Sequence, residues 1–156
     1  MNAPAADVPA LAVEPGWIEV VGSGEGKFTE HLLDGRHRLV ADEPVAVGGN
    51  DRGPGPYELL LMALGACTTM TLRLYADRKG WPLARATARL NHRRIHAQDC
   101  ADCETKQGML DRIELVIELE GALDEGQRKR LLEIAGMCPV HRTLTSEIKI
   151  DTRLAR

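Results

Sequence analysis

Gly53-Pro54-Gly55-Pro56-Tyr57-Glu58-Leu59-Leu60-Leu61-Met62-Ala63-Leu64-Gly65-Ala66-Cys67-Thr68 is the stretch whose reading decides the fold. It leaves a Gly/Pro cluster that begins at Gly48 and has no hydrophobic period, so that cluster reads as a loop. Pro56 suits the first turn of a helix, and Glu58 follows in that turn. From Glu58 to Lys79 the only breaker is Gly65, and Gly80 and Pro82 supply the stop. The first half of this helix is apolar on every side, and such a helix must be buried on every side. In a chain of 156 residues one monomer's sheet covers one side of it. The other side is expected to meet a partner subunit. The second half turns amphipathic, with Arg73, Asp77, Arg78 and Lys79 available to solvent.

Upstream, Trp17–Val21 and Lys27–Leu33 read as short strands separated by the turn-former Gly22-Ser23-Gly24. Asp34-Gly35 is a hairpin signal, and Arg36–Val40 is the return strand. Downstream, Arg85–Ile95 reads as a strand and His96–Gln107 as a polar connection. Asp111–Glu120 mostly alternates, as a half-buried strand does. Asp124 and Gln127 form a capping-box pair that opens a second helix through Ala135, with Gly136 as its stop. Glu147–Arg153, with Ile148 and Ile150 on one face, is expected to close the chain as a strand. No internal repeat is present. This order predicts an α+β domain, with curved antiparallel sheets packed around two main helices.

Composition narrows the class. A hydrophobic fraction of 44% and a charged fraction of 28% suit one globular domain. Aromatic residues are only 3%, so the core must be aliphatic. The net charge is -3 with both signs interspersed, which gives no electrostatic case for nucleic acid or an anionic membrane. No apolar run reads as long enough to span a bilayer. Residues 1–16 are Ala/Pro-rich, lack the basic and apolar regions of a secretory signal, and read as a loose tail before a domain over 17–156. A cytoplasmic location is expected. The four cysteines are then redox-active, metal-binding or buried thiols rather than two structural disulfides.

Cys67 lies inside the most apolar helix, where a cysteine is often a buried, inert thiol. Cys138 follows a helix stop and precedes Pro139, where a reversal can aim a side chain inward. If that turn is helical, His141 can approach Cys138. Together the two suggest attack and resolution: a thiolate takes an oxygen from a peroxide, and a second thiol condenses with the sulfenic acid. A second group, His92, His96, Cys100 and Cys103, reads His-x3-His-x3-Cys-x2-Cys. Its spacing fits a tetrahedral zinc site, a dithiol pair, or a polar loop without chemistry. Asp99, Asp102 and Glu104 crowd these thiols with negative charge, which disfavours thiolate. Met62, Met70 and Met137 read as core or site lining, and His31 and His37 as surface residues beside a hairpin turn. The Gly-rich loop lacks the Lys-Ser/Thr of a phosphate-binding loop.

The stretch Gly53–Thr68 resembles the first-cysteine helix of the OsmC/Ohr family, and Cys138-Pro139-Val140-His141-Arg142-Thr143-Leu144 resembles its second-cysteine motif. The resemblance runs from about Trp17 to the end. It implies the OsmC-like fold and an intertwined homodimer with two active sites at the subunit interface. It also implies thiol-dependent reduction of hydroperoxides, organic ones especially, with a dithiol reductant and neither an organic cofactor nor a metal. By that match Cys67 is the peroxidatic cysteine, Cys138 the resolving one, and Glu58 the helix-start glutamate that organises the site. On one straight helix Glu58 and Cys67 would stand about 13 Å apart on opposite sides, so Glu58 is expected to serve the partner subunit's Cys67. In one respect the chain departs from the pattern: Gly24 stands where organic-hydroperoxide-resistance members carry an activating arginine. Lys27, Arg36, Arg38 and Arg52 are the candidate replacements. Two other readings stay open, a non-enzymatic binder of a small apolar or thiol-reactive ligand and a zinc-stabilised dimer.

Overall fold

The computed structural model describes residues 13–155. It divides between Leu59 and Leu60 into two compact units. Most of the expected tail lies outside the described residues; its end is a turn closed by Trp17 N–H donating to the Glu14 carbonyl at 3.0 Å.

The first unit is an antiparallel meander of β1 (Glu19–Gly22), β2 (Glu30–Leu33) and β3 (Arg38–Ala41), in that order across the sheet. Its register pairs Val21 with His31 and Leu32 with Leu39. The β2–β3 turn forms because Asp34 Oδ1 accepts the N–H groups of Arg36 and His37 at 2.8 and 2.6 Å, while Gly35 takes the positive φ (85°) that the reversal needs. The Gly-rich loop then folds back on β3: at Gly53 a Cβ would overlap the Val40 carbonyl, so only glycine fits.

The second unit is a long two-stranded ribbon with helices on one face. Helix α1 (Pro56–Lys79) begins in the first unit, and most of it lies in the second. Strands β4 (Leu83–His96) and β5 (Met109–Gly121) pair antiparallel along their whole length. Strand periodicity places Ala86, Ala88, Leu90 and His92 beside Leu119, Ile117, Leu115 and Ile113 on the half-buried face. Helix α2 (Glu125–Ala135) opens on the full capping box expected from Asp124 and Gln127. The core consists of Leu72, Ala76, Leu83, Leu123, Leu131, Ile134 and Ala135, with Tyr75 and Trp81 packed against it. A short third helix, α3 (Pro139–Leu144), follows.

Two expectations are corrected here. Glu147–Arg153 forms no strand, and Ile150 is 85% exposed. An alternating pattern marks a face to be buried but does not supply a neighbouring strand edge. By length and composition alone, α1 is long and apolar enough to cross a membrane, contrary to the sequence reading. Its buried residues, Leu64, Gly65, Thr68, Leu72 and Ala76, follow one helical stripe. Met62, Met70 and Leu74 on its other sides are exposed.

Leu131 is wholly buried in this core. Leu131→Ala should cost about 2–5 kcal/mol. In urea unfolding this would lower the midpoint and leave the denaturant slope unchanged.

Candidate functional site

Cys138 is the N-cap of α3, and Pro139 occupies the first helical position, which needs no N–H. The cysteine sulfur accepts the His141 backbone N–H at 3.3 Å and lies 3.5 Å from Thr68 Oγ1. Thr68 Oγ1 also donates to the Leu64 carbonyl at 2.9 Å. A hydroxyl carries one proton, and the shorter contact takes it. The Cys138 thiol is therefore the donor toward Thr68. Cys138 and Thr68 are both wholly buried, whereas Cys67, the residue just before Thr68 on α1, is half-buried. Both cysteines are free thiols. The turn after α2 is helical, as His141 required, but the contact it makes to Cys138 comes from its backbone N–H.

A cavity of about 230 Å³ lies beside this turn, lined by Leu64 of α1, Asp111, Ile113 and Leu115 of β5, and His141, Leu144 and Thr145 at α3. The lining is mainly aliphatic, with one carboxylate and one imidazole. The Asp111 carboxylate accepts from His92 Nε2 at 2.9 Å across the ribbon.

In the first unit Glu58 has a local structural task. Its Oε2 accepts the Gly55 N–H at 2.8 Å, while the Gly55 carbonyl accepts the Leu59 N–H. This is the N3-to-N-cap half of a capping box and fixes where α1 starts. Arg52 pairs with Glu25 in the Gly22–Lys27 turn. The guanidinium holds the Glu25 carboxyl below its ordinary value, and Glu25 raises Arg52 in return. The turn that lacks an arginine thus carries a glutamate that engages one from the loop. Lys27 Nζ stands 4.7 Å from the Phe28 ring centroid, and Arg36 and Arg38 are exposed.

The sequence reading missed Asp42, which organises this loop. Its side chain is 2% exposed, accepts from Thr29 Oγ1 at 2.8 Å and the Glu43 N–H at 2.8 Å, and takes a longer bond from the Asn50 N–H. Burial pushes its carboxyl up, but these donors outweigh it and hold the group below its ordinary value. An aspartate at a strand end ahead of a Gly-rich loop is the available signal. His31 corrects another expectation: it is only 7% exposed, and neither ring nitrogen has a hydrogen-bond partner.

The His/Cys group does not come together as a set of four. His92 is tied to Asp111 on the ribbon, and His96 ends β4. Cys100 and Cys103 are joined in a disulfide, with Cα atoms 5.4 Å apart. Only Cys100, Asp102 and Cys103 have potential ligand atoms within 4.8 Å of one another among the described residues. Of the readings left open, the geometry favours the dithiol pair.

Asp42 has a lowered folded value, so its contribution to stability is complete above its ordinary value of 3.8 and is lost as pH falls through the folded value below that. Asp42→Asn should therefore destabilise the protein at pH 7, and the gap to wild type should narrow as pH falls below 3.8. Urea melts from pH 7 to 2 test this; a constant gap would contradict it.

Residues 48–153 match the family model for OsmC-like proteins. Among solved structures, an OsmC-like protein from Mycoplasma pneumoniae aligns with a TM-score of 0.63 and 22% identity, over 81% of this chain and 84% of that one. An organic hydroperoxide resistance protein from Legionella pneumophila aligns at 0.58 and 19%, over 83% and 88%. The organic hydroperoxide resistance protein of Bacillus subtilis aligns at 0.51 and 17%, over 83% and 89%. A comparison with curated proteins finds no significant match.

Proposed function

The chain belongs to the OsmC-like family, and on that premise we propose that it is a thiol-dependent peroxidase that reduces hydroperoxides through Cys67 and Cys138. The observation that carries this reading is the contact between the buried Cys138 sulfur and Thr68, the neighbour of the more accessible Cys67. The accessible thiol is the one a peroxide meets first, and the protected thiol is the one held back for resolution.

Cys67 thiolate attacks the distal oxygen of ROOH. The O–O bond breaks, Cys67 becomes sulfenic acid, and RO⁻ leaves and takes a proton as ROH. The Cys138 sulfur then attacks the Cys67 sulfur, water leaves, and a disulfide forms. An external dithiol restores both thiols and is itself oxidised to a disulfide. The 230 Å³ cavity is smaller than the roughly 300–1,000 Å³ of sites for drug-sized ligands, and its lining is mainly aliphatic. It suits a small alkyl hydroperoxide better than a bulky one.

Glu58 organises the site from the start of α1 and, by helix geometry, serves the Cys67 of a second copy. Arg52 is the candidate for the missing arginine, because it is paired into the Gly22–Lys27 turn. Its charge is already offset by Glu25, so turnover is expected to be slow. The exposed apolar residues Met62, Met70 and Leu74 of α1 support a homodimer. Replacing Leu74 by Glu should shift the sedimentation coefficient to that of a monomer; an unchanged value would argue against this face.

The reduced protein should consume ethyl hydroperoxide with dithiothreitol. Cys67→Ser should lower the rate at least a hundredfold. Cys138→Ser should retain one fast turnover and accumulate a sulfenic acid that dimedone captures. Equal rates for wild type and Cys67→Ser would overturn the peroxidase reading in favour of a non-enzymatic binder.

A further inference from the structure

The Cys100–Cys103 disulfide lies in the polar connection between β4 and β5, away from the thiols used above. Its backbone frame has its own hydrogen bonds. The Ala97 N–H donates to the Gly108 carbonyl at 2.9 Å, the Cys100 N–H to the Ala97 carbonyl at 3.2 Å, and the Cys103 N–H to the Cys100 carbonyl at 3.5 Å. Lys106 Nζ adds a bond to the Cys103 carbonyl at 2.6 Å. Ala97 is 1% exposed and anchors the base of the turn. Its Cα separation of 5.4 Å falls within the roughly 4.4–6.8 Å range of disulfides.

A structural cross-link normally ties distant parts of a chain, and its effect grows with the loop it closes. This one closes only the short loop of a Cys-x-x-Cys pair, inside the connection between strands already paired along thirteen register positions. It contributes little to the fold. Its two sulfurs are also unequal: Cys100 is buried, and Cys103 is half-buried. An inner and an outer sulfur suit reversible exchange, because an incoming thiolate can reach the outer one.

Distance separates this pair from Cys67. Helix α1 meets β4 where Gly65 faces Leu90 and Ala88. From Leu90 to His96 the strand advances about 20 Å, and Cys100 lies beyond that. Within one subunit the two cysteine pairs cannot exchange directly.

We propose that Cys100 and Cys103 are a second dithiol/disulfide couple that cycles independently of Cys67 and Cys138 and reacts with external thiols. A thiolate attacks Cys103 Sγ, the Cys100–Cys103 bond breaks, and Cys100 leaves as a thiolate that takes a proton from water. The second thiol of the reagent attacks its own sulfur in the mixed disulfide. Cys103 is released as a thiol, and the reagent departs as its cyclic disulfide. Asp102 Oδ1 is 3.2 Å from Cys100 Sγ, so its negative charge disfavours the leaving thiolate and slows reduction.

The test uses the full-length Cys67→Ser/Cys138→Ser double variant, which keeps only this pair. Dithiothreitol should expose two alkylatable thiols with the far-ultraviolet circular dichroism unchanged, and oxidised dithiothreitol should remove them again. Adding Asp102→Asn should speed reduction several-fold at low ionic strength, with the difference shrinking in salt. A pair that is reduced only on unfolding would overturn the proposal. So would a reduced pair that holds about one zinc per chain and resists oxidation until a chelator is added. The double variant has no peroxidatic thiol, so these outcomes are independent of the peroxidase assay.

Discussion

Helix α1 packs closely on β4 at Gly65. At Gly65 a Cβ would come within 2.8 Å of Leu90 Cδ1 and 3.9 Å of the Ala88 Cβ. This close approach orders the second unit. It aims the stripe Leu64, Thr68, Leu72 and Ala76 at the ribbon and at α2, where Leu72 joins the aliphatic core. It also brings Thr68 to the N-cap of α3, where its hydroxyl meets Cys138. With few aromatic residues available, the core depends on such close aliphatic packing.

The same geometry makes the two free thiols unequal. Cys138 is enclosed between the Thr68 hydroxyl and the His141 N–H, so its polar demands are met without water. Cys67 lies one residue along the helix, a rotation of about 100°, and retains partial access. Adjacent helix positions do not share a face. A hydroxyl next to the peroxidatic candidate can therefore hold the resolving candidate while the first thiol stays reachable. The disulfide at the far end of the ribbon follows another logic, in a turn that carries its own backbone hydrogen bonds.

In the first unit, polar contacts set the geometry. Asp42 gathers donors from Thr29, Glu43 and Asn50, and Gly53 lies against the Val40 carbonyl. These contacts hold the Gly-rich loop, from which Arg52 reaches Glu25 and Gly55 meets Glu58. The paired Arg52 and the helix-capping Glu58 each have a structural partner.

Local chemistry was legible in the residues themselves. The Pro56 start and Lys79 end of α1, the Asp124/Gln127 box and the Asp34-Gly35 turn each depend on atoms a few residues apart, and all are present. The Cys67 and Cys138 motifs were legible as a family pattern, and the family is the OsmC-like one. Contacts distant along the chain were decided by the tertiary structure. The burial of His31, the gathering of donors at Asp42, the Arg52–Glu25 pair and the separation of His92 from Cys100 and Cys103 all arise from strand pairing and loop closure. The closing strand failed for the same reason: Ile148 and Ile150 carry the right alternation, but a strand also has to lie alongside another strand's edge, and Glu147–Arg153 pairs with none. The sequence by itself determined the elements and the reactive residue types, because those depend on neighbours along the chain. Only the tertiary structure decided which thiol is enclosed, which is reachable and which are joined, because burial and sulfur–sulfur distance are properties of the packed chain.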